Sequence, residues 1–165
     1  MKVQDIMTVE VETCGPESDL AAAAVIMWKR DCGSVPVVDE GRRVVGMITD
    51  RDICMAVATR NKLASAIKVS EVTSGRVYAC SPDDSVKDAL ETMQSAQLRR
   101  LPVVDDEGTL HGILSINDVV LHSAKGRSKK HVSHRDVIAT LKLLSEHRHE
   151  EADDDGGQAL SAAPI

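Results

Sequence analysis

The sequence of 165 residues is nearly devoid of aromatic side chains: Trp28 and Tyr78 are the two present, and Phe is absent. A stacking platform for single-stranded nucleic acid needs more rings than this. Positive charge is also scarce. Twenty Lys and Arg against 26 Asp and Glu leave a net charge of −6, whereas a dedicated duplex binder presents a basic face. Long apolar runs are missing. The longest, Leu20 to Trp28, has nine residues, and a membrane-spanning helix needs about 20. Acidic residues, not a basic segment, precede that run (Glu10, Glu12, Glu17, Asp19), so it does not read as a signal peptide, and the expected compartment is the cytoplasm. Cys14, Cys32, Cys54 and Cys80 form no C-x-x-C pair, which leaves a zinc knuckle or thioredoxin motif unsupported; free, mostly buried thiols are expected.

What is present is an internal repeat at a constant offset of 66 residues. Val3-Gln4-Asp5-Ile6 matches Val69-Ser70-Glu71-Val72, and Cys14-Gly15-Pro16 matches Cys80-Ser81-Pro82. Ala23 and Met27 fall on Ala89 and Met93. Val35-Pro36-Val37-Val38-Asp39 falls on Leu101-Pro102-Val103-Val104-Asp105, and Gly46-Met47-Ile48-Thr49 on Gly112-Ile113-Leu114-Ser115, with Asp52 on Asp118. A register held without a net gap over that span marks two copies of one supersecondary unit.

Each copy reads alike. A short helix (Val3 to Met7; Val69 to Val72) leads to a first strand (Val9 to Cys14; Arg76 to Cys80) that Pro16 or Pro82 breaks. Ser18 and Asp84 are expected to cap the next helix. The strand opened by Pro36 or Pro102 turns at acidic residues plus Gly41 or Gly108. The returning strand (Val44 to Ile48; Leu110 to Leu114) runs into a second helix. The expected fold is therefore α/β (α+β), with two pseudo-symmetric β-α-β-β-α repeats packed together and a C-terminal helix. The expected boundaries are 1–62 and 63–124 for the repeats, 125–149 for a basic linker and amphipathic helix, and 150–165 for a disordered acidic tail.

The repeat resembles the CBS domain, and the tandem pair resembles a Bateman module. Four features, present in both copies, carry the resemblance: the short leading helix, the apolar-Pro-Val-Val-Asp strand, the glycine turn, and Gly-x-x-(Thr/Ser)-x-x-Asp. The resemblance implies an adenosine-containing ligand, with AMP, ADP, ATP, NAD or S-adenosylmethionine as candidates. It implies that Asp52 and Asp118 hold ribose and that Thr49 and Ser115 hold phosphate. Chemistry agrees: a carboxylate accepts both ribose hydroxyls, and a helix N-terminus offers unpaired N–H groups. The same residues also suit plain helix capping, and the two roles are compatible.

The residues just before Pro36 and Pro102 are implied to line the cleft. There Gly33-Ser34 in copy one stands against Arg99-Arg100 in copy two. Arg99, Arg100 and Arg51 are the phosphate-charge candidates, since a guanidinium fork suits phosphate; Asn117 replaces Arg51 in copy two. With rings so few, adenine is expected to rest on Val35, Pro36, Leu101 and Pro102. Thr8 and Ser74 complete the candidate set. The uneven charge leads to the expectation that the two clefts differ in affinity or phosphate preference.

Leu20 to Trp28 is apolar on every side, so its helix is expected to be buried all round, which with the apolar Cys54 to Ala58 segment implies a homodimer through helices. Beyond the repeats, Ser133 is expected to cap a helix to His147 with Val137, Ile138, Leu141 and Leu144 on one face. His131 and His134 would stand about 20 Å from His147 and His149 along it, too far apart for one metal ion. No nucleophile–base pair or metal constellation emerges, so no catalysis is expected. The leading reading is a regulatory module that acts on an unidentified protein effector in trans, without nucleic acid or membrane. The alternative is a structural or protein-interaction module with no physiological nucleotide; metal-binding and nucleic-acid roles have less in their favour.

Overall fold

The computed structural model describes residues 1–73, 76–126 and 131–146. Each repeat is built on an antiparallel hairpin. Strands β1 (Ser34–Val38) and β2 (Val44–Thr49) pair in the first, and β3 (Arg100–Val104) and β4 (Leu110–Ser115) in the second. The registers are equivalent: Ser34 faces Thr49 and Arg100 faces Ser115, and both hairpins shift register between the paired valines, Val37/Val38 and Val103/Val104. Helices α1 (Leu20–Arg30) and α2 (Asp50–Arg60) flank the first hairpin, and α3 (Val86–Ala96) and α4 (Ile116–Leu121) the second. Helix α5 (His134–Ser145) follows.

The expected first strand of each copy is extended chain that touches the sheet at one residue. Cys14 donates to the carbonyl of Pro36 and accepts from Val38 N–H; Cys80 does the same with Pro102 and Val104. A single bridge is too short to count as a strand. Val9, expected inside the first of these strands, is 64% exposed.

The helix caps also differ by one residue from expectation. Asp19 caps α1, accepting Ala22 N–H at 2.8 Å, and Ser85 caps α3, accepting Asp88 N–H at 3.2 Å. Ser18 and Asp84 instead close the preceding proline turns, accepting the N–H groups of Gly15 and Ser81. Both residue types serve either purpose, and the turn took the first of each pair.

The short leading segments are exchanged between the repeats. The 3-10 turn Val3–Asp5 belongs to the core of the second repeat, where Val3 and Ile6 pack with Val86, Leu90, Met93, Leu101 and Val119. The turn Val69–Glu71 belongs to the first, where Ile67 and Val69 pack with Leu20, Met27, Val35 and Ile48. Backbone bonds fix the exchange. Val3 N–H donates to Asp84 and Gln4 N–H to Pro82; sixty-six residues on, Val69 N–H donates to Ser18 and Ser70 N–H to Pro16. Each repeat thus takes core residues from the segment that leads into the other, so neither core is complete without the other repeat.

Two expectations about helices change. α1 buries one stripe, Leu20, Ala23 and Met27, while Val25 is exposed and Trp28 is 89% exposed. Cys54 and Met55 on α2 are exposed as well. Among the described residues, nothing covers this apolar surface. The expected C-terminal helix forms with Ser133 as its cap and packs on α3: Val137 and Leu144 join the second core, and Gln94 Nε2 donates to Thr140 Oγ1 at 2.6 Å. Ile138, expected on that buried face, is exposed. Cys14 and Cys80 are buried free thiols, as expected, but Cys32 is half-buried. His147, His149 and the acidic tail lie outside the described residues.

Candidate functional site

Asp52 and Asp118 occupy the same place in the two repeats, the third residue of a helix that follows directly on a strand. Each makes a reciprocal cap with the hydroxyl residue that ends the strand. Asp52 N–H donates to Thr49 Oγ1 at 3.2 Å, while Thr49 N–H and Oγ1–H donate to Asp52 Oδ2 at 3.0 and 2.6 Å. Ser115 and Asp118 repeat this at 3.2, 2.8 and 2.6 Å. The box satisfies two N–H groups that a helix start leaves open. It engages Oδ2 alone; no described residue donates to Oδ1 of either Asp. Each carboxylate therefore keeps one oxygen available for a hydroxyl-bearing ligand. The Thr49 and Ser115 protons already point at that Asp, so a phosphate role for either hydroxyl requires the proton to turn away.

Around Asp118 the two repeats enclose a cavity of ≈ 320 Å³, within the size range of small-molecule sites. Thr8, Arg100, Ser115, Asn117 and Asp118, all expected site residues, line it together. Thr8 reaches it because its backbone pairs both ways with Ile113 of β4, at 3.0 and 2.9 Å. That approach depends on Gly112, where a Cβ would lie 2.6 Å from the Thr8 carbonyl oxygen. The apolar lining comes from Val11, Ile26 and Ile113. Val35 and Leu101, expected against adenine, are at most 1% exposed in the two cores, and Pro36 and Pro102 are buried in the strands beside them. Arg99 is exposed and outside this lining.

Thr49, Arg51 and Asp52 stand together at the start of α2, with Arg51 exposed. Ser74, the counterpart of Thr8, lies outside the described residues. Two residues on in the sequence, the Arg76 guanidinium sits 4.6 Å from the Tyr78 ring centre.

The charged lining residues outside the expected set are Glu10, Glu12, Arg30 and Asp31. Ser34, which aligns with Arg100 across the repeat, stands where cleft-lining residues were expected. The acids lie in segments that only the folded chain brings to β4. Among the described residues, no cluster of three or more His, Cys, Asp or Glu side chains is arranged to hold a metal ion. Nor is any described helix long and apolar enough to cross a membrane.

The family model for the CBS domain matches residues 3–59 and 69–125. A CBS domain-containing protein of Bacillus subtilis strain 168, YhcV, is 33% identical over 139 residues, 82% of this chain and 97% of its own length. Among solved structures, the CBS domain pair of protein MJ0100, in complex with 5′-methylthioadenosine and S-adenosyl-L-methionine, superposes with a TM-score of 0.67 at 28% identity, covering 73% of this chain and 94% of that one. CBSX2 in complex with AMP superposes with a TM-score of 0.64 at 26% identity, covering 73% and 93%.

Proposed function

This chain belongs to the CBS domain family, and from that premise we propose that it is a non-catalytic regulatory module that binds an adenosine-containing ligand in the clefts between its two repeats. The observation that carries this reading is the Asp118 cavity. It sets one uncommitted carboxylate oxygen beside hydroxyl, guanidinium and apolar groups, in a space of nucleoside size. The two similar pairs with adenosyl ligands or AMP bound support the ligand class. Candidates for this chain are AMP, ADP, ATP, NAD, S-adenosylmethionine and 5′-methylthioadenosine.

The cavity wall comes from both repeats: Ile26 and Arg30 from the first, Arg100 and Asp118 from the second. A ligand that bridges them favours one relative placement of the repeats and shifts the population toward it. A protein effector in trans would respond to that shift, with the chain acting as an energy-sensing or metabolite-sensing subunit in the cytoplasm. The open apolar surface of α1 and α2, with Val25, Trp28 and Met55 exposed, supports a homodimer through these helices.

A thermal-shift screen of the full chain against these six ligands tests the reading. A ligand present at a hundred times its Kd adds about 2.7 kcal/mol of stability, which raises Tm by about 5–10 °C for a chain of this size. No shift with any of them would favour an interaction module without a nucleotide.

A further inference from the structure

Ser34 opens β1 and is 6% exposed, and its Oγ is the one fully buried side-chain polar atom among the described residues without a hydrogen-bond partner. Buried hydroxyls normally find a partner. Ser34 lines the Asp118 cavity, so a turn of its side chain that brings Oγ to the cavity surface lets a bound molecule supply what the protein leaves out.

The charge around that hydroxyl is lopsided. Glu12 and Arg30, both in the lining, neutralise each other in an ion pair at 2.6 Å. That leaves Glu10, Asp31 and Asp118 against the single cation Arg100. The positions 66 residues away from Glu10, Glu12 and Asp31 are Arg76, Tyr78 and Gln97, while Asn117 corresponds to Arg51. Acids at the Asp118 cleft are thus replaced by neutral or basic residues at the positions related to Asp52. A polyphosphate placed among Glu10, Asp31 and Asp118 meets repulsion that one guanidinium does not offset, whereas a neutral or positive group does not.

We propose that the Asp118 cleft selects an adenosyl ligand that is neutral or cationic, a thioether or sulfonium, over an anionic nucleotide, and that Ser34 Oγ hydrogen-bonds this ligand. The proposal rests on the adenosine reading above and adds the division of labour: phosphate-bearing nucleotides belong to the Asp52 cleft, with Arg51 beside Asp52 and Arg76 at the position that corresponds to Glu10.

Isothermal titration of the full-length Asp52→Ala protein, whose Asp118 cleft is intact, separates the two ideas. The probes are 5′-methylthioadenosine, S-adenosylmethionine, AMP and ATP. The first two should bind at least about tenfold more tightly than ATP, from two excess carboxylates at close range. Glu10→Lys in the same background should narrow that ratio by raising ATP affinity. Ser34→Ala should weaken 5′-methylthioadenosine about fivefold while leaving the Tm of the unliganded protein unchanged, because it deletes a group with no protein partner. Displacement of 5′-methylthioadenosine by ATP in the unmodified protein gives the same ratio independently if Asp52→Ala folds poorly. ATP binding at parity overturns the selectivity, and full 5′-methylthioadenosine affinity in Ser34→Ala overturns the Ser34 hydrogen bond; either leaves the adenosine reading standing. Failure of all four probes to bind the unmodified protein overturns both.

Discussion

Exchange of the leading segments makes a prediction that distance along the chain alone would not. Val3 is at the start of the first repeat, yet its side chain is 0% exposed in the core of the second. Val3→Ala removes two buried methyl groups, about 1.6 kcal/mol at about 0.8 kcal/mol each. A cavity penalty brings the expected loss to about 2–3 kcal/mol. For a chain of this size that lowers Tm by about 4–12 °C. Where the protection is lost matters more than how much. Amide hydrogen exchange should accelerate in β3, β4 and α3, and much less in β1 and β2. Val69→Ala, likewise 0% exposed but in the other core, should give the mirror pattern. Loss of protection confined to β1 and β2 in Val3→Ala, or a Tm change under about 1 °C, would refute the exchanged cores.

Three further outcomes follow from the geometry. Gly112→Ala forces a Cβ against the Thr8 carbonyl at 2.6 Å, whereas Gly46→Ala meets only the Thr73 side chain at 3.3 Å. Urea melts should therefore show Gly112→Ala losing about 1–3 kcal/mol, with Gly46→Ala losing less. Burial pushes the Cys14 and Cys80 thiols up to about 11 and about 12. At pH 8 a thiol reagent should label exposed Cys54 quickly and spare Cys14 and Cys80 until the protein unfolds. Asp105 is held below the usual carboxylate range by the His111 side chain first and then by the Thr109 N–H; Asp39 is held down by the Arg43 N–H and then its side chain. A depressed carboxylate contributes stability above its unfolded-state value and loses it as pH falls below about 4. Exposure keeps each contribution small, so Asp105→Asn should slightly flatten the acid limb of a Tm-against-pH curve and leave neutral pH nearly unchanged.

The repeat made the architecture legible from residue spacing. The hairpins, the four flanking helices and the Thr49–Asp52 and Ser115–Asp118 pairs all stand where the offset of 66 residues puts them. What spacing did not convey depends on which surfaces meet. The cap at Ser18 or Asp19 is a choice between two residues of equal propensity, settled by a proline turn. Val9 to Cys14 was expected as a strand, but among the described residues its backbone pairs with the sheet only at Cys14. Glu10 and Glu12 were not among the candidates because nothing local shows that Thr8 pairs with Ile113 and carries them to the Asp118 cavity. Val35 and Leu101 are near that cleft in sequence, but their strands turn both side chains into the cores. Ser34 seemed a mere absence of Arg at its position; burial gave it a hydroxyl without a partner.

The most direct measurement of the central claim is a calorimetric titration of the adenosyl ligand with the largest thermal shift into four proteins: unmodified, Asp52→Ala, Asp118→Ala and the double variant. If each carboxylate holds ribose through its free oxygen, a site filled in the unmodified protein should be lost with its own carboxylate: Asp118→Ala for a neutral or cationic ligand, Asp52→Ala for a nucleotide. The double variant should bind at least about tenfold more weakly than the unmodified protein, as loss of a hydrogen bond to a charged group requires. Unchanged affinity and stoichiometry in a double variant that melts cooperatively would contradict the account.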